Sequence, residues 1–353
     1  MSARKSKVTL ADVAAAAGVS GATVDRVLNR RLPVREDTAL QVIAAAEALG
    51  HRGARLMRQR LASAAQPRHR LGFCLQKENS PVYQALAQSL REATARQTGG
   101  HGTAVIEFID TLEPRAIAER LLDLGRRCDA LGVVALDHPH VSAAVATLHG
   151  EGRPCLALLS DLSAPQRLGC VGIDNRQRGR TAAWAVRRLA RADHQNGGEV
   201  AVFIGSHRYL GQETSEMAFR AALREHAPGL RVLDAQVNLE DEQIGYEATL
   251  ALLARHPDLV GLYDTGGGAT RGIVRALREE AAGRGIVVVA HGLTPEHREA
   301  LVDGVIDLVI DTPVGAVADT SVCVLLEALQ PGAQPAFGQP FVLPLGLFTP
   351  ENV

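Results

Sequence analysis

The stretch Val8–Asn29, reading VTLADVAAAAGVSGATVDRVLN, constrains the fold more than any other part of the chain. Leu10, Val13, Ala14 and Ala17 recur at helical spacing and make one apolar face. Thr9 stands at the cap of that helix, with Asp12 three residues on as the acidic partner of a capping box. Gly18 breaks the pattern, because glycine enters left-handed backbone cheaply. Ser20 can cap a second helix, whose apolar face is Thr23, Val24, Val27 and Leu28. Two short helices joined by a glycine-containing turn form a helix-turn-helix. In that motif the second helix enters the DNA major groove and its N-terminal half meets base edges. A plain α-hairpin is the competing reading of the two helices alone. Up to Arg70, 13 Lys and Arg face 5 Asp and Glu, a net +8; the remainder carries −9. A basic end on an acidic body is what DNA binding by that end requires, since phosphate neutralisation supplies much of the affinity.

Downstream, a loop after Asn29 leads to a third helix from about Asp37 to Leu49, with Leu40, Ile43, Ala44 and Leu49 as its apolar face and Gly50 as its stop. Residues 1–50 then form a small three-helix domain, 51–70 an Arg-rich linker broken by Gly53 and Pro67, and 71–353 the body. In the body, apolar strand candidates alternate with amphipathic helices for some 280 residues. The candidates are 71–75, 105–109, 131–136, 155–159, 171–173, 200–204, 232–235, 260–263, 286–290 and 308–310. That alternation implies βαβ units and parallel sheets. Ten strands divide near Ser160 to Asp174 into two α/β lobes with a cleft between them. Ligands on such sheets bind beyond the carboxyl ends of the strands. Asp137 and His138, Asp161, Asp264 and His291 stand at such ends, each either capping its loop or touching ligand.

The words VTLADVA, AGVS, ATV and RVLN resemble, in order and spacing, the headpiece of the LacI (lactose repressor) family of transcription regulators. In the body, VGIDNRQRGRTAA, MAFRAALREHAPGL, GLYDTGGGATRG and LTPEHREALVDGVIDLVID resemble that family's effector domain, which is built like a periplasmic sugar-binding protein. The resemblance implies an all-α helix-turn-helix headpiece plus an α/β two-lobed periplasmic-binding-protein-like domain with parallel sheets. It implies three crossings between lobes, placed near Asp161, Gly292 and Leu329. It also implies a homodimer that sets two recognition helices on a pseudo-palindromic operator, more often as a repressor. A small-molecule effector in the cleft would shift lobe closure.

Carried onto this chain, Ser20, Gly21 and Ala22 open the recognition helix, where Gly21 and Ala22 offer no hydrogen-bonding side chains. Arg26 matches the arginine that pairs with guanine; Thr9, Thr23, Asn29 and Thr38 match backbone-positioning sites. Asp25 stands where the family commonly has serine, either orienting an arginine, accepting from cytosine, or facing solvent. The linker implies a hinge helix that wedges a leucine into the minor groove, here Leu61 if the register shifts by one.

On the ligand side the loop QKENSPVYQAL places Ser80, Val82 and Tyr83 at the cleft, Tyr83 as the stacking ring. Three family positions depart: Ser215 replaces an arginine, Gly292 an aspartate, and Asp311 or Thr312 a glutamine. Glu213, Glu216 and His207 are the candidate replacements, and the effector is expected to be a sugar, polyol or related small polar metabolite. Asp174 and Arg180 read as a pair that either fixes the following helix or lines the cleft.

Other classes fit less well. The five cysteines lack metal-ligand spacing and read as buried thiols, so no metal or cofactor is expected. Gly266–Gly268 lacks the lysine of a phosphate loop, and no nucleophile motif points to an enzyme. No apolar run is long enough for a membrane span. The basic N-terminus lacks the apolar core of a signal peptide, so a cytoplasmic location is expected. A solute-binding transport protein would show that leader and no helix-turn-helix. A regulator with a decayed pocket and a protein co-effector is the remaining alternative. With no leucine heptad after the last strand candidate, a dimer is favoured over a tetramer.

Overall fold

The computed structural model describes residues 8–29, 34–51, 68–190 and 197–353. The chain forms two compact units, residues 1–68 and 69–353. In the first, helix α1 (Leu10–Ala17) starts at a complete capping box. The Asp12 amide donates to Thr9 Oγ1 at 3.3 Å, and the Thr9 amide donates to the Asp12 carboxylate at 2.8 Å. Gly18 ends the helix at φ 63°. Ser20 Oγ accepts from the Thr23 amide at 3.1 Å and so opens α2 (Gly21–Asn29). Helix α3 (Glu36–Ala48) closes a core of Val13, Ala14, Ala17, Val24, Val42 and Ala46. Its inward stripe is Ala39, Val42, Ile43 and Ala46, whereas the expected Leu40 and Leu49 are exposed. The apolar face is rotated by about one residue from the expected one. Small residues at 39 and 46 let α3 approach the alanine surface of α1.

The second unit holds two lobes. In the first lobe a six-stranded sheet runs β12-β5-β4-β3-β1-β2. Its strands are β1 (Arg70–Gln76), β2 (Thr103–Ile109), β3 (Ala130–Val133), β4 (Cys155–Leu158), β5 (Gly169–Ile173) and β12 (Gln339–Leu343), all paired parallel. Helices α4 (Pro81–Gln97), α5 (Pro114–Gly125), α6 (Pro139–Gly150) and α12 (Val314–Ala328) cover it.

The second sheet runs β13-β11-β10-β9-β6-β7, with β8 beside β6. Its strands are β6 (Glu199–Ile204), β7 (Arg231–Val232), β8 (Gln236–Val237), β9 (Leu259–Asp264), β10 (Val287–His291), β11 (Leu308–Asp311) and an antiparallel β13 (Gly346–Phe348). Helices α7 (Asn175–Leu189), α8 (Leu210–His226), α9 (Glu242–Arg255), α10 (Thr270–Glu280) and α11 (Pro295–Val302) flank it. The central strands β6 and β9 are buried along their whole length, as a sheet covered on both faces requires.

All three crossings lie away from the expected places. Strand β5 pairs with β4 through Ala157 and Cys170, so Asp161 stays inside the first lobe and the chain leaves it only at Asp174. It returns between β11 and α12, at Thr312 and Pro313, not at Gly292. It crosses last between β12 and β13, at Pro344 and Leu345, not at Leu329. Strands β12 and β13 are short, and Pro340 within β12 and Pro344 between the two interrupt the apolar residues that would announce them.

Glycine sets the helix pairs. A Cβ at Gly179 would lie 2.0 Å from the Ser215 carbonyl oxygen, so α7 and α8 touch through their backbones. Gly272 does the same for α10 against Glu242. Of the cysteines, Cys74, Cys128 and Cys155 are buried as expected, Cys170 partly so, and Cys323 is exposed.

Candidate functional site

A cavity of about 320 Å³ opens between the lobes at the carboxyl ends of the strands. That lies at the small end of small-molecule sites. Its first-lobe wall includes the β1–α4 loop, with Lys77 and Ser80, and the first turn of α4, with Val82 and Tyr83. Its second-lobe wall collects side chains from the loops after β6, β8, β9, β10 and β11.

Glu240, in the loop after β8, is the centre of the second wall. It accepts from Gln212 Nε2 at 2.5 Å and from the Gly268 amide at 2.6 Å. Three glycines make room for it: a Cβ at Gly266 or Gly268 would lie 2.0 Å from a carboxyl oxygen, and one at Gly205 2.7 Å from the side chain. The triple glycine is therefore a cradle for a carboxyl group. Burial, then the Asp264 carboxyl nearby, push the Glu240 pKa above the ordinary carboxylate value. Leu239 and Glu240 both have left-handed backbone, at φ 52° and 55°. Their carbonyls each accept from Lys77 Nζ at 2.8 Å, tying the first lobe to this loop. The lobes also meet where the Asp137 amide donates to the Arg208 carbonyl and the Gly211 amide to Ser160 Oγ.

The Arg178 guanidinium of α7 also lines the cavity, at 4% exposure. Its Nε donates to Ser215 Oγ and its Nη2 to the Gly211 carbonyl, both at 3.1 Å. Ser215 Oγ also lies 2.7 Å from Tyr263 Oη. A guanidinium thus stands against Ser215, where the resembling family carries one on residue 215 itself. His291 Nδ1 is buried without a hydrogen-bond partner. Burial first, then the Arg178 charge, hold its pKa well below 6.5. Burial also lowers the pKa of His297, which lies against the Gly292 carbonyl.

Of the residues singled out from sequence, Ser80, Val82, Tyr83, His291 and Asp311 line the cavity. Five others do not. Asp137 is turned to Ser163, accepting from its amide and hydroxyl. His138 caps α6. Asp161 is held by Arg167 through two oxygens. Asp264 is fully buried, accepting from Thr270 and the Gly266 amide. Glu213 lies in the first turn of α8, off the cavity wall. His138, Asp161 and Asp264 serve their own loop or helix and Asp137 the loop after β4, while among the described residues no side-chain partner is seen for Glu213. The candidate replacements also fall elsewhere: Glu216 pairs with Arg220, and His207 is exposed. Asp174 caps α7, while Arg180 faces Glu225 rather than Asp174.

Sequence reasoning missed Lys77, Arg178, Tyr209, Gln212 and Glu240. Tyr209 gives the cavity a second ring beside Tyr83. The strand-end rule would have found Glu240 had the strand been placed at 236–237 rather than 232–235.

In the first unit, Ser20, Gly21, Ala22 and Arg26 are exposed along α2, Thr23 and Asp25 half-buried. A Cβ at Gly21 would meet nothing. The Thr9 hydroxyl is bonded to Asp12 within its cap. Thr38 is half-buried in α3. Leu61 and the Asn29 side chain lie outside the described residues.

Among the described residues no helix is long and apolar enough to cross a membrane, and no cluster of His, Cys, Asp and Glu could hold a metal ion.

Residues 71–334 match the family model of the periplasmic binding protein domain, and residues 9–52 that of the bacterial regulatory proteins of the lacI family. The HTH-type transcriptional regulator reg1 of Streptomyces lividans is 25% identical over 98% of this chain and 94% of its own. The HTH-type transcriptional regulator GalR of Escherichia coli is 28% identical over 70% of this chain and 68% of its own. An uncharacterized HTH-type transcriptional regulator in the aml 5′ region of Streptomyces limosus is 28% identical, and the chain spans 58% of its length, less than two thirds. Among solved structures, an ABC-transporter solute-binding protein of Burkholderia graminis in complex with D-arabinose superposes with a TM-score of 0.72 at 19% identity, covering 81% of this chain and 96% of that one. GanP, a glucose-galactose binding protein of Geobacillus stearothermophilus, gives 0.72 at 15%, covering 81% and 99%. At such identities the likeness is one of fold.

Proposed function

The chain belongs to the lacI family of bacterial regulatory proteins, with a periplasmic binding protein domain as its body, and on that premise we propose an effector-controlled repressor of transcription. Helix α2 is its recognition helix, with Arg26 as the main base-reading side chain. It acts as a cytoplasmic homodimer on a pseudo-palindromic operator. Its effector is a sugar-like or polyol molecule held in the interlobe cavity.

The observation that carries this reading is the cavity's make-up in a chain that also bears the helix-turn-helix. Two tyrosine rings and the polar heads of Gln212, Glu240 and Asp311 converge on one small space. Rings suit a sugar face, and carboxyl and amide groups suit hydroxyls. A pocket this polar and this well braced speaks against the alternative of a decayed pocket served by a protein co-effector. The solved sugar-binding neighbours share the fold of the body, which supports the choice of effector class.

The test combines two measurements on the full chain. A duplex selected from a random pool should be bound as a pseudo-palindrome, and Arg26→Ala should weaken that binding by about 5- to 150-fold while relaxing one base position. A carbohydrate that raises the melting temperature should change the affinity for the same duplex. Failure to select any duplex, or a stabilising carbohydrate without effect on DNA binding, would sink the proposal.

A further inference from the structure

We propose that the effector is a sugar acid whose carboxylate pairs with the Arg178 guanidinium while its hydroxyls are taken by Glu240 and Gln212. This rests on the reading of the cavity as a carbohydrate site and narrows it to one chemical class.

The starting observation is a charge without a counter-charge. Arg178 is 4% exposed, yet the groups it faces, Ser215 Oγ, the Gly211 carbonyl and the Tyr263 hydroxyl, are all neutral. Other partly buried arginines in the body are treated differently. Arg167 is paired with Asp161, and Arg220 with Glu216, although both are more exposed. Among the described residues no carboxylate forms an ion pair with Arg178. Burying a cation unpaired is costly, and the cost is relieved only by an anion brought to it.

The acids on the cavity wall do not fill that role. Asp311 accepts from the Leu293 amide, Glu240 is held by Gln212 and Gly268, Asp241 accepts from the Ile244 amide, Glu242 faces Arg271 and Arg275, and Glu296 is bonded within its own helix start. The field of Arg178 is felt by its neighbours, since it is the second cause, after burial, of the lowered pKa of His291. The protein occupies Nε and Nη2 of the guanidinium from one side. What remains suits one planar acceptor, the geometry of a carboxylate. A phosphate dianion would call for a second free cation, but Lys77 already donates to two carbonyls and Arg271, the other cation on the cavity wall, faces Glu242 at 3.8 Å.

The acid end and the polyol end are carried by different elements. Arg178 lies on α7, whereas Glu240 follows β8 and Gln212 lies at the start of α8; all three line the cavity together with Tyr83 and Tyr209. The exchange also explains Ser215: a small hydroxyl there leaves space for a guanidinium arriving from α7, where it is oriented by that hydroxyl.

The experiment titrates the full-length protein by calorimetry with matched probes. D-gluconate is set against D-glucitol, D-glucuronate against D-glucose, D-galacturonate against D-galactose, and D-glucose 6-phosphate is added as the phosphate arm. In the wild type at least one acid should bind at least about tenfold more tightly than its neutral partner. Arg178→Gln should erase that preference, and Arg178→Lys, keeping the charge without the fork, should retain a weakened one. Neutral sugars binding as tightly as their acids, phosphate preferred over carboxylate, or a preference that survives Arg178→Gln would each overturn the proposal. A neutral sugar that binds leaves the carbohydrate-effector reading standing while removing this one; a blank across every probe removes both. If neither variant folds, the wild-type comparison still decides.

Discussion

Lys77→Met tests whether the two lobes are latched through the loop that carries Glu240. In the wild type Nζ donates to the carbonyls of Leu239 and Glu240 at 2.8 Å each. A net hydrogen bond from a charged donor contributes about 1.5–3 kcal/mol. Lys77 is half-buried and regains water when the lobes part, so the lower end applies to each bond. Methionine fills the same length without donors, and the expected loss is about 2–3 kcal/mol, or about 30- to 150-fold in the ratio of closed to open forms. The left-handed backbone at Leu239 and Glu240 acts in the same direction, because each such residue stores about 1–2 kcal/mol that an untied loop can release. Amide hydrogen exchange on the full chain reads the effect directly. Exchange at Leu239, Asp241 and Gly268 should accelerate by that factor, while the buried strand β9 keeps its protection. Protection within about threefold of wild type at all three amides would refute the latch. It would show that the second lobe holds its own loop and that the interlobe bonds at Asp137 and Gly211 carry closure alone.

Two further outcomes are expected. Gly268→Ala would place a Cβ 2.0 Å from the Glu240 carboxyl oxygen that accepts from the 268 amide, while Gln212 pins the other oxygen; the carboxyl should be displaced, weakening effector binding at least about tenfold with the melting temperature changed by only a few degrees, and undiminished binding would show that Glu240 is not a ligand group. His291 and His297 both have pKa values lowered from 6.5, chiefly by burial, so the unfolded chain takes up their protons first; their contribution to stability is complete above pH 6.5 and is lost as pH falls through the lower folded-state values. Melting curves between pH 7.5 and 5.5 should show a decline of up to about 1.4 kcal/mol per pH unit for each histidine that flattens in His291→Asn/His297→Asn, and an unaltered slope would place the proton uptake elsewhere. The raised carboxyls Glu240 and Asp264 act oppositely, adding stability below their ordinary values of 4.5 and 3.8 that is lost as pH rises through the folded-state values.

The parts of this chain that were legible in its sequence are those whose physics is local. The capping box of Thr9 and Asp12, the turn at Gly18 and the cap at Ser20 each involve residues within four positions of one another. The cleft is a different kind of object. Strand-end aspartates are good ligand candidates by position, yet a carboxylate at a strand end first meets the amides of its own loop. Asp137, Asp161 and Asp264 are all consumed there or by a neighbouring side chain. The groups left to face the cavity are those whose partners come from distant chain segments. Glu240 depends on glycines at 205, 266 and 268, and Arg178 on residues 211 and 215. Such contacts leave a trace in sequence only as unexplained small residues. Gly266–Gly268 and Ser215 were both visible as anomalies, a phosphate loop without its lysine and a family arginine gone missing. Each marks the place where another residue's charged head had to fit. In a two-lobed binding fold of this type, a small residue where a charged one is expected is therefore a reason to search the facing helix for the displaced charge. Here that search ends at Arg178, one residue before the glycine that brings α7 against α8.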